Sequence, residues 1–419
     1  MDTTMREVVT LRRCRFCGTQ LRYLFVDLGM SPLCESYVPL DKLDGFEVFY
    51  PLQVLVCHEC LLVQLGEYVS AKDIFDEYAY FSSYSDSWLE HSRRYTRRMA
   101  EQLGLGRESL VVEVASNDGY LLQYFVEFGI PVLGIEPAAN VAHVAVGRGV
   151  PTLVRYFGRH LAEELVAEGR QADLIVANNV LAQVPDLNDF VAGLALLLKR
   201  SGTLTLEFPH VARLIQETQF DTIYHEHFSY FSLHTTRRLF AAHGLEVVDV
   251  EELPTHGGSL RVFGRRKDGH PPAPSARVAG LEHQEQEAGL TAVAGYGGFA
   301  RSVEETRWRL LEFLIRVRRG GKTVAGYGAP GKGNTLLNYC GIRTDLVDFV
   351  VDRNPYKQGK FLPGTHIPIC SPERIAEAKP DYVLILPWNL KDEIVRQLSY
   401  IRAWGGTFVV PIPSVYVID

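Results

Sequence analysis

From residue 109 onward, short apolar runs alternate with amphipathic stretches, and this alternation constrains the fold more than any other feature of the chain. Leu110–Val114, Pro131–Ile135, Ala172–Ala177 and Leu204–Phe208 read as buried strands, with amphipathic stretches near 120–129, 138–148, 157–168 and 188–200 between them. Parallel strands need a long crossover to reach one another, and helices of this length supply it. The pattern therefore predicts a parallel sheet covered on both faces. Leu245–Val250 and Ser259–Gly264 can add an antiparallel end. The alternation restarts at Lys322, with strands at Thr323–Tyr327, Leu346–Val351, Tyr382–Pro387 and Thr407–Val410 and helices near 333–340, 372–378 and 390–402.

The rest of the chain falls around these two units. Residues 1–70 are compact and bear cysteines; residues 71–108 look helical and open with Tyr78, Tyr80, Phe81, Tyr84 and Trp88. Three prolines within Lys267–Ser275 mark a linker or surface loop, and residues 279–319 look helical up to Gly320-Gly321. The expected fold class is α/β: a small metal-type module (1–70), a first Rossmann-like domain (71–265), a linker and helical connection (266–320), and a second Rossmann-like domain (321–419). With 419 residues, 47% hydrophobic and 22% charged, the chain has ample material for several cores. Lys and Arg total 43 against 50 Asp and Glu, a net charge of −7, which argues against nucleic acid as a partner. The longest apolar runs, such as Leu194–Leu198, fall far short of the ~18 residues that span a bilayer. The first residues lack an apolar secretion segment, so a cytoplasmic protein without a membrane partner is expected.

Four of the seven cysteines form two knuckles, Cys14-x-x-Cys17 and Cys57-x-x-Cys60, separated by 39 residues. Each short loop can place two thiolates about 2.3 Å from one metal, which suits tetrahedral Zn²⁺. A closed site of four cysteines leaves no position for water, so such a zinc is structural. Cys34 and His58 are spare candidates, and reduced thiols without metal are the plainer alternative.

The strand Val111–Val114 runs into Ala115-Ser-Asn-Asp-Gly119, where an open α/β sheet binds its ligand. Only one glycine remains in this turn, so a pyrophosphate would approach its backbone poorly. A cofactor without phosphates fits better. The next strand ends at Glu136-Pro137, where a carboxylate can accept hydrogen bonds from both hydroxyls of an adenosine ribose. The third ends at Asn178-Asn179, whose amides can meet an adenine or an amino-acid moiety. In this order and spacing, Ala115, Ser116, Asn117, Gly119, Glu136, Pro137, Asn178 and Asn179 look like the donor site of a class I S-adenosylmethionine (SAM) methyltransferase.

Tyr224-His225-Glu226-His227 is the densest ionisable cluster in the chain, set among Ile223, Phe228, Tyr230 and Phe231. A metal site and a solvated loop are both open readings. An imidazole in such apolar surroundings can also serve as a general base, with a carboxylate orienting it. In the second unit, Gly326-Tyr-Gly-Ala-Pro-Gly-Lys-Gly-Asn334 lets backbone N–H groups approach an anion at a helix N-terminus, with Lys332 adding charge. A diphosphate site or a structural turn both suit it.

Taken together, the knuckles, Glu113-Val-Ala-Ser-Asn-Asp-Gly119, the Tyr224–His227 segment, Thr255-His-Gly-Gly-Ser-Leu260 and the 326–334 segment resemble the sugar C-methyltransferases that act on nucleotide-linked 4-keto deoxysugars in antibiotic biosynthesis. The likeness covers essentially the whole chain and is strongest to the C-3′-methyltransferases of TDP-3-amino-4-keto-2,3,6-trideoxy sugars. It implies a monomer with an N-terminal zinc domain, a central SAM domain and a C-terminal domain that helps hold the TDP-sugar. It also implies that His227 removes the C-3′ proton, Tyr224 meets the C-4′ oxygen, Glu226 supports the site and Tyr78 is a further active-site tyrosine. Substrate contacts are expected at Tyr37, His225, Lys332 and Asn334. One position departs: the family's histidine in Asn-Asn-Val-x-Ala-His-Val is Gln183 here, which hydrogen-bonds but cannot carry a proton.

Two other functions remain compatible with the residues. A nicotinamide-dependent nucleotide-sugar oxidoreductase would use the second unit and its Asp352. A zinc-bearing binding module would retain only a degenerate methyltransferase domain.

Overall fold

The computed structural model describes residues 5–418 apart from 71, 73 and 75–80; the expectation placed on Tyr78 lies outside the described residues. Three sheets organise the chain. The N-terminal sheet is antiparallel, in the order Arg6–Glu7, Tyr23–Ser31, Tyr50–Val56, Val63–Leu65 and, from far along the sequence, Ser229–Tyr230. That last strand follows the Tyr224–His227 segment directly and pairs Ser229 with Gln64 and Tyr230 with Val63.

The central sheet has seven strands in the order Leu245–Leu253, Ser259–Arg266, Leu198–Pro209, Ala172–Asn178, Val111–Val114, Val132–Ile135 and Thr152–Leu153. The last five of these are parallel, and the predicted antiparallel end is present at Leu245–Leu253 and Ser259–Arg266. Strand Val111–Val114 lies between the strand that follows it and the third, so the chain switches sides there and opens a crevice at its carboxyl end. In front of this sheet runs the helix Asp86–Leu103. Ser85 caps it by accepting the Trp88 N–H, and Gly104 ends it at φ 60.

The C-terminal sheet repeats the scheme with Ile369–Cys370, Val350–Val351, Val324–Tyr327, Tyr382–Ile385, Thr407–Val410 and an antiparallel edge, Tyr416–Ile418. Its switch point falls at Gly328–Pro330, ahead of the helix Gly331–Cys340. The expected helical stretch 279–319 is two helices, Ala276–Glu287 and Phe299–Arg319, because Gly289, Gly295 and Gly298 break the run. No described helix is long and apolar enough to cross a membrane.

The N-terminal module ties the other two units together. Phe25 stacks on Phe299 with centroids 4.5 Å apart, in one buried cluster with the C-terminal strands. On its other side, Cys14, Cys57 and Cys60 lie in the cluster that holds the central sheet, and Asn188 donates to the Phe16 carbonyl at 2.9 Å.

Candidate active site and zinc centre

Distance decides whether the knuckles can share one metal. The Sγ atoms of Cys14, Cys17, Cys57 and Cys60 all lie within 4.8 Å of one another, with Cys14–Cys60 at 3.4 Å and Cys17–Cys57 at 3.5 Å. Ligands about 2.3 Å from a tetrahedral Zn²⁺ sit roughly 3.8 Å apart, so the four thiols fit the ion. Gln64 donates to the Cys14 sulfur at 3.1 Å, a second contact that orients it. The spare candidates separate from this group. Cys34 lies beside Glu226, and His58 lies against Glu59 and the Tyr23 ring.

Both switch points open into one continuous cavity of about 1230 Å³. At its central-sheet end, Ala115, Asn117 and Gly119 have φ values of 59, 48 and 77. Two non-glycine residues in the left-handed region within one turn is strain of the kind that collects at functional sites. The turn folds its backbone onto Glu136, whose carboxylate accepts the N–H groups of Asn117 and Ala138, each at 2.9 Å. Burial raises the Glu136 pKa and these two bonds oppose it. A carboxylate has about four acceptor positions, so two remain for hydroxyl groups. The Oδ1 atoms of Asn178 and Asn179 are buried without a partner at the same end. Orphaned acceptors on a cavity wall fit a ligand that brings N–H donors. SAM does so.

Ala115, Asn117, Glu136, Pro137, Asn178, Asn179 and Gln183 line the cavity. Ser116 and Gly119 do not. The Ser116 Oγ is packed against Gly134, where an added Cβ would come within 2.5 Å of it, and Gly119 turns the chain against Val150 and Ala145. Their role is to shape the turn.

In the middle of the cavity, Tyr224, Glu226 and His227 line the wall. The segment is fixed on both sides: Phe228 N–H donates to Ala182 O at 2.7 Å, and Leu65 N–H donates to Phe228 O at 3.0 Å. His227 Nδ1 is 2.9 Å from the Thr222 carbonyl, which can only accept. Nδ1 therefore carries the proton, and Nε2 keeps its lone pair. Burial lowers the His227 pKa to about 4, only partly offset by that bond and reinforced by the charges of His256 and Lys332. The imidazole is neutral at pH 7. Its ring lies 4.1 Å from that of Tyr224, whose phenol is held above its usual range by burial and by Glu226. Glu226 Oε1 accepts from the Cys34 thiol at 3.4 Å.

His225 does not reach the cavity. It sits in the turn closed by the His227 N–H donating to Tyr224 O at 2.9 Å, and its ring packs edge-on against Tyr50 and Tyr68 with Nε2 3.3 Å from the Pro51 carbonyl. Tyr37 and Asn334 are likewise absent from the wall. The Tyr37 hydroxyl donates to Ala329 O at 2.7 Å, and Asn334 is buried within the helix Gly331–Cys340.

Sequence reasoning missed a second wall, lined by Trp88, His91, Thr255 and His256 and backed by a buried ion pair. Glu207 is fully buried and takes Arg261 at 2.6 Å, His91 at 3.0 Å and the Thr255 hydroxyl at 2.8 Å. Burial raises the Glu207 pKa, but the His91 bond and the Arg261 charge prevail and hold it down at about 2. Trp88 stacks on His91 at 4.9 Å and meets His256 edge-on at 5.0 Å. His256 has φ 54, and burial lowers its pKa to about 4. The Thr255–Leu260 motif was the one signal available, and it carried no role.

At the C-terminal end, Lys332 lines the cavity with Arg353 and Lys357. The glycine-rich turn is less open to an anion than its sequence suggests, because the Ala329 N–H is already taken by Asp352 Oδ2 at 2.7 Å.

Comparison with known proteins decides the family. The C-methyltransferase NovU of Streptomyces niveus is 38% identical over 417 residues, covering 99% of both chains. The protein belongs to this C-methyltransferase family. Three family models divide the chain: a zinc binding domain over 14–75, a methyltransferase domain over 87–250 and a C-methyltransferase C-terminal domain over 254–413. Solved methyltransferase structures overlap it only loosely. Magnesium protoporphyrin IX methyltransferase of Synechocystis PCC 6803 with bound SAM is 16% identical, with a TM-score of 0.33 over 43% of this chain and 82% of that one. The 1,6-didemethyltoxoflavin-N1-methyltransferase of Burkholderia thailandensis is 20% identical, with a TM-score of 0.33 over 43% and 81%. The 38% identical C-methyltransferase and the matching methyltransferase and zinc binding models make this chain a SAM-dependent C-methyltransferase with an N-terminal zinc module, and the nicotinamide and degenerate-module readings give way.

Proposed function

We propose that this C-methyltransferase methylates C-3′ of a TDP-linked 4-keto deoxysugar, with a 3-amino-2,3,6-trideoxy sugar as the preferred substrate. The observation that carries this reading is the neutral His227, its Nδ1–H spent on Thr222 and its Nε2 lone pair available in the cavity beside Tyr224. A hydrogen on the carbon next to a ketone is acidic because the electron pair it leaves spreads onto oxygen. His227 Nε2 takes that proton while Tyr224, kept as a phenol, donates to the C-4′ oxygen. SAM, when bound, supplies an electrophilic methyl group to the carbon.

The remaining roles follow from position. Glu136, Asn178, Asn179 and the turn at Ala115 and Asn117 hold the donor; Glu226 keeps Tyr224 and Cys34 in place; Gln183 hydrogen-bonds at the junction of donor and sugar. Residues 1–70 act as a zinc staple, 71–265 as the donor domain, and 321–419 as the nucleotide side, where Arg353 at the rim meets the diphosphate. No ion pair of Arg353 is present among the described residues. The enzyme works as a monomer in the cytoplasm on a sugar destined for an antibiotic. The test is mass spectrometry of TDP-3-amino-4-keto-2,3,6-trideoxyglucose incubated with the enzyme and SAM. One added methyl group at C-3′ supports the reading; methylation at another carbon, or none while SAM binds, defeats it.

A further inference from the structure

A lysine that follows a glycine-rich turn at a helix start would ordinarily reach for a phosphate. Lys332 does otherwise. Its ammonium donates to Asn389 Oδ1 at 2.8 Å and lies 4.7 Å from the centre of the Trp388 ring. The Trp388 indole N–H donates in turn to Asp221 Oδ2 at 2.7 Å. Asp221 is fully buried and adjoins Thr222, whose carbonyl holds the His227 ring. On the other side of Trp388 lies Gly257, next to His256, so closely that no side chain would fit there. Behind Lys332, Gly331 sits against Cys34, and a Cβ on it would be 3.8 Å from the Tyr224 ring. The ammonium is therefore built into the wall that carries the base and the phenol, and its hydrogen bond goes to Asn389 while Asp352 occupies the turn.

Its charge acts on that wall. Burial lowers the Lys332 pKa and Asp221 opposes it, while the ammonium itself holds down both His227 and His256. Asp221 is pushed up to about 6 by burial against the pull of Lys332 and Trp388. Glu207 and His91 lie behind His256 and act on it rather than on Lys332.

We propose that Lys332 is the cation that stabilises the enolate oxygen formed when His227 takes the proton, and not a ligand of the diphosphate. This rests on the 4-keto sugar reading above. In the step, the C-3′–H bond breaks and its proton goes to His227 Nε2. The electron pair becomes the C-3′–C-4′ double bond, and the carbonyl π pair moves onto the C-4′ oxygen. A neutral imidazole and a neutral ketone become an imidazolium and an enolate. The ammonium offsets the negative charge that develops on the oxygen, while it holds down the basicity of the imidazole. One of its three N–H donors is used by Asn389, which leaves donors for the oxygen. Where charge develops in a water-poor site, a preorganised donor of this kind contributes strongly.

The test compares the wild-type enzyme with Lys332→Met and Lys332→Arg. Three quantities are read: deuterium uptake at C-3′ of TDP-3-amino-4-keto-2,3,6-trideoxyglucose in D₂O without SAM, KM for that sugar, and the pH dependence of kcat. Lys332→Met should slow exchange and kcat about 100-fold while KM stays within a few-fold. The acid limb of its profile should move to higher pH, because His227 loses the cation that holds it down. Lys332→Arg should keep the wild-type limb and retain more exchange. A raised KM with undiminished exchange at saturating sugar would assign Lys332 to the diphosphate and overturn the proposal, as would an unmoved acid limb. If the wild-type enzyme neither exchanges nor methylates this sugar, the substrate reading fails first and the proposal falls with it.

Discussion

Arg261→Met isolates what the buried acid–base wall contributes. Arg261 is 2% exposed, pairs with Glu207 at 2.6 Å and Glu251 at 3.2 Å, and lies 4.5 Å over the Tyr95 ring. Methionine keeps much of the stem's volume but leaves Glu207, fully buried, with only His91 and Thr255. Removing one partner of a buried pair costs about 3–5 kcal/mol. Burial raises the Glu207 pKa, but His91, Arg261 and Thr255 together hold it at about 2 instead of 4.5, a depression that corresponds to about 3 kcal/mol for the three partners combined. The sign follows from the depressed value. In the wild type this contribution is complete above pH about 4.5 and is lost as pH falls toward 2. In the variant, burial dominates and the Glu207 pKa rises above its ordinary value, so lowering the pH from 7 toward 5 should recover stability instead of leaving it flat. Denaturant unfolding followed by circular dichroism at pH 5 and pH 7 measures both effects. A loss under 1 kcal/mol at pH 7, or a variant whose pH dependence matches the wild type, would refute the reasoning.

Zinc removal should also reach the active site. Cys57→Ser, or chelation, loosens the sheet whose strand Val63–Leu65 holds Ser229–Tyr230, immediately after His227. Activity should drop at least tenfold while far-ultraviolet dichroism of the α/β units is largely kept, and zinc content by atomic absorption should fall in step. Gln183→His should raise kcat by a few-fold with little change in SAM affinity, measured by steady-state kinetics and calorimetry. Glu136→Ala should weaken SAM binding by about 2 kcal/mol through lost charge-assisted hydrogen bonds, read by calorimetry, and leave zinc content unchanged.

The layers of this fold were legible because the inner strands of the parallel sheets are near-continuous apolar runs, such as Val111–Val114 or Tyr382–Ile385. Thr152–Leu153, Ile369–Cys370 and Tyr416–Ile418 escaped because two or three edge residues carry no periodicity. Ser229–Tyr230 escaped for another reason: its partner, Val63–Leu65, is remote in the chain, and pairing at that distance leaves no local trace. The site divides the same way. The residues proposed to hold the donor stand out because they sit at strand ends of one sheet, and the knuckles were readable because ligand spacing is local. The Glu207–His91–Arg261 wall joins three elements whose contact exists only after folding. Lys332 stands out in the sequence, but its context there points to a phosphate while its side chain turns to Trp388 and Asn389.

The central claim is that His227 is the base. Wild-type enzyme in D₂O with TDP-3-amino-4-keto-2,3,6-trideoxyglucose and no SAM should place deuterium at C-3′, with a rate that rises through pH about 4 and is flat above it. His227→Asn should lose that exchange, and turnover with it, while calorimetry shows SAM bound as tightly as before. Exchange at C-3′ that persists in His227→Asn at the wild-type rate would contradict the account.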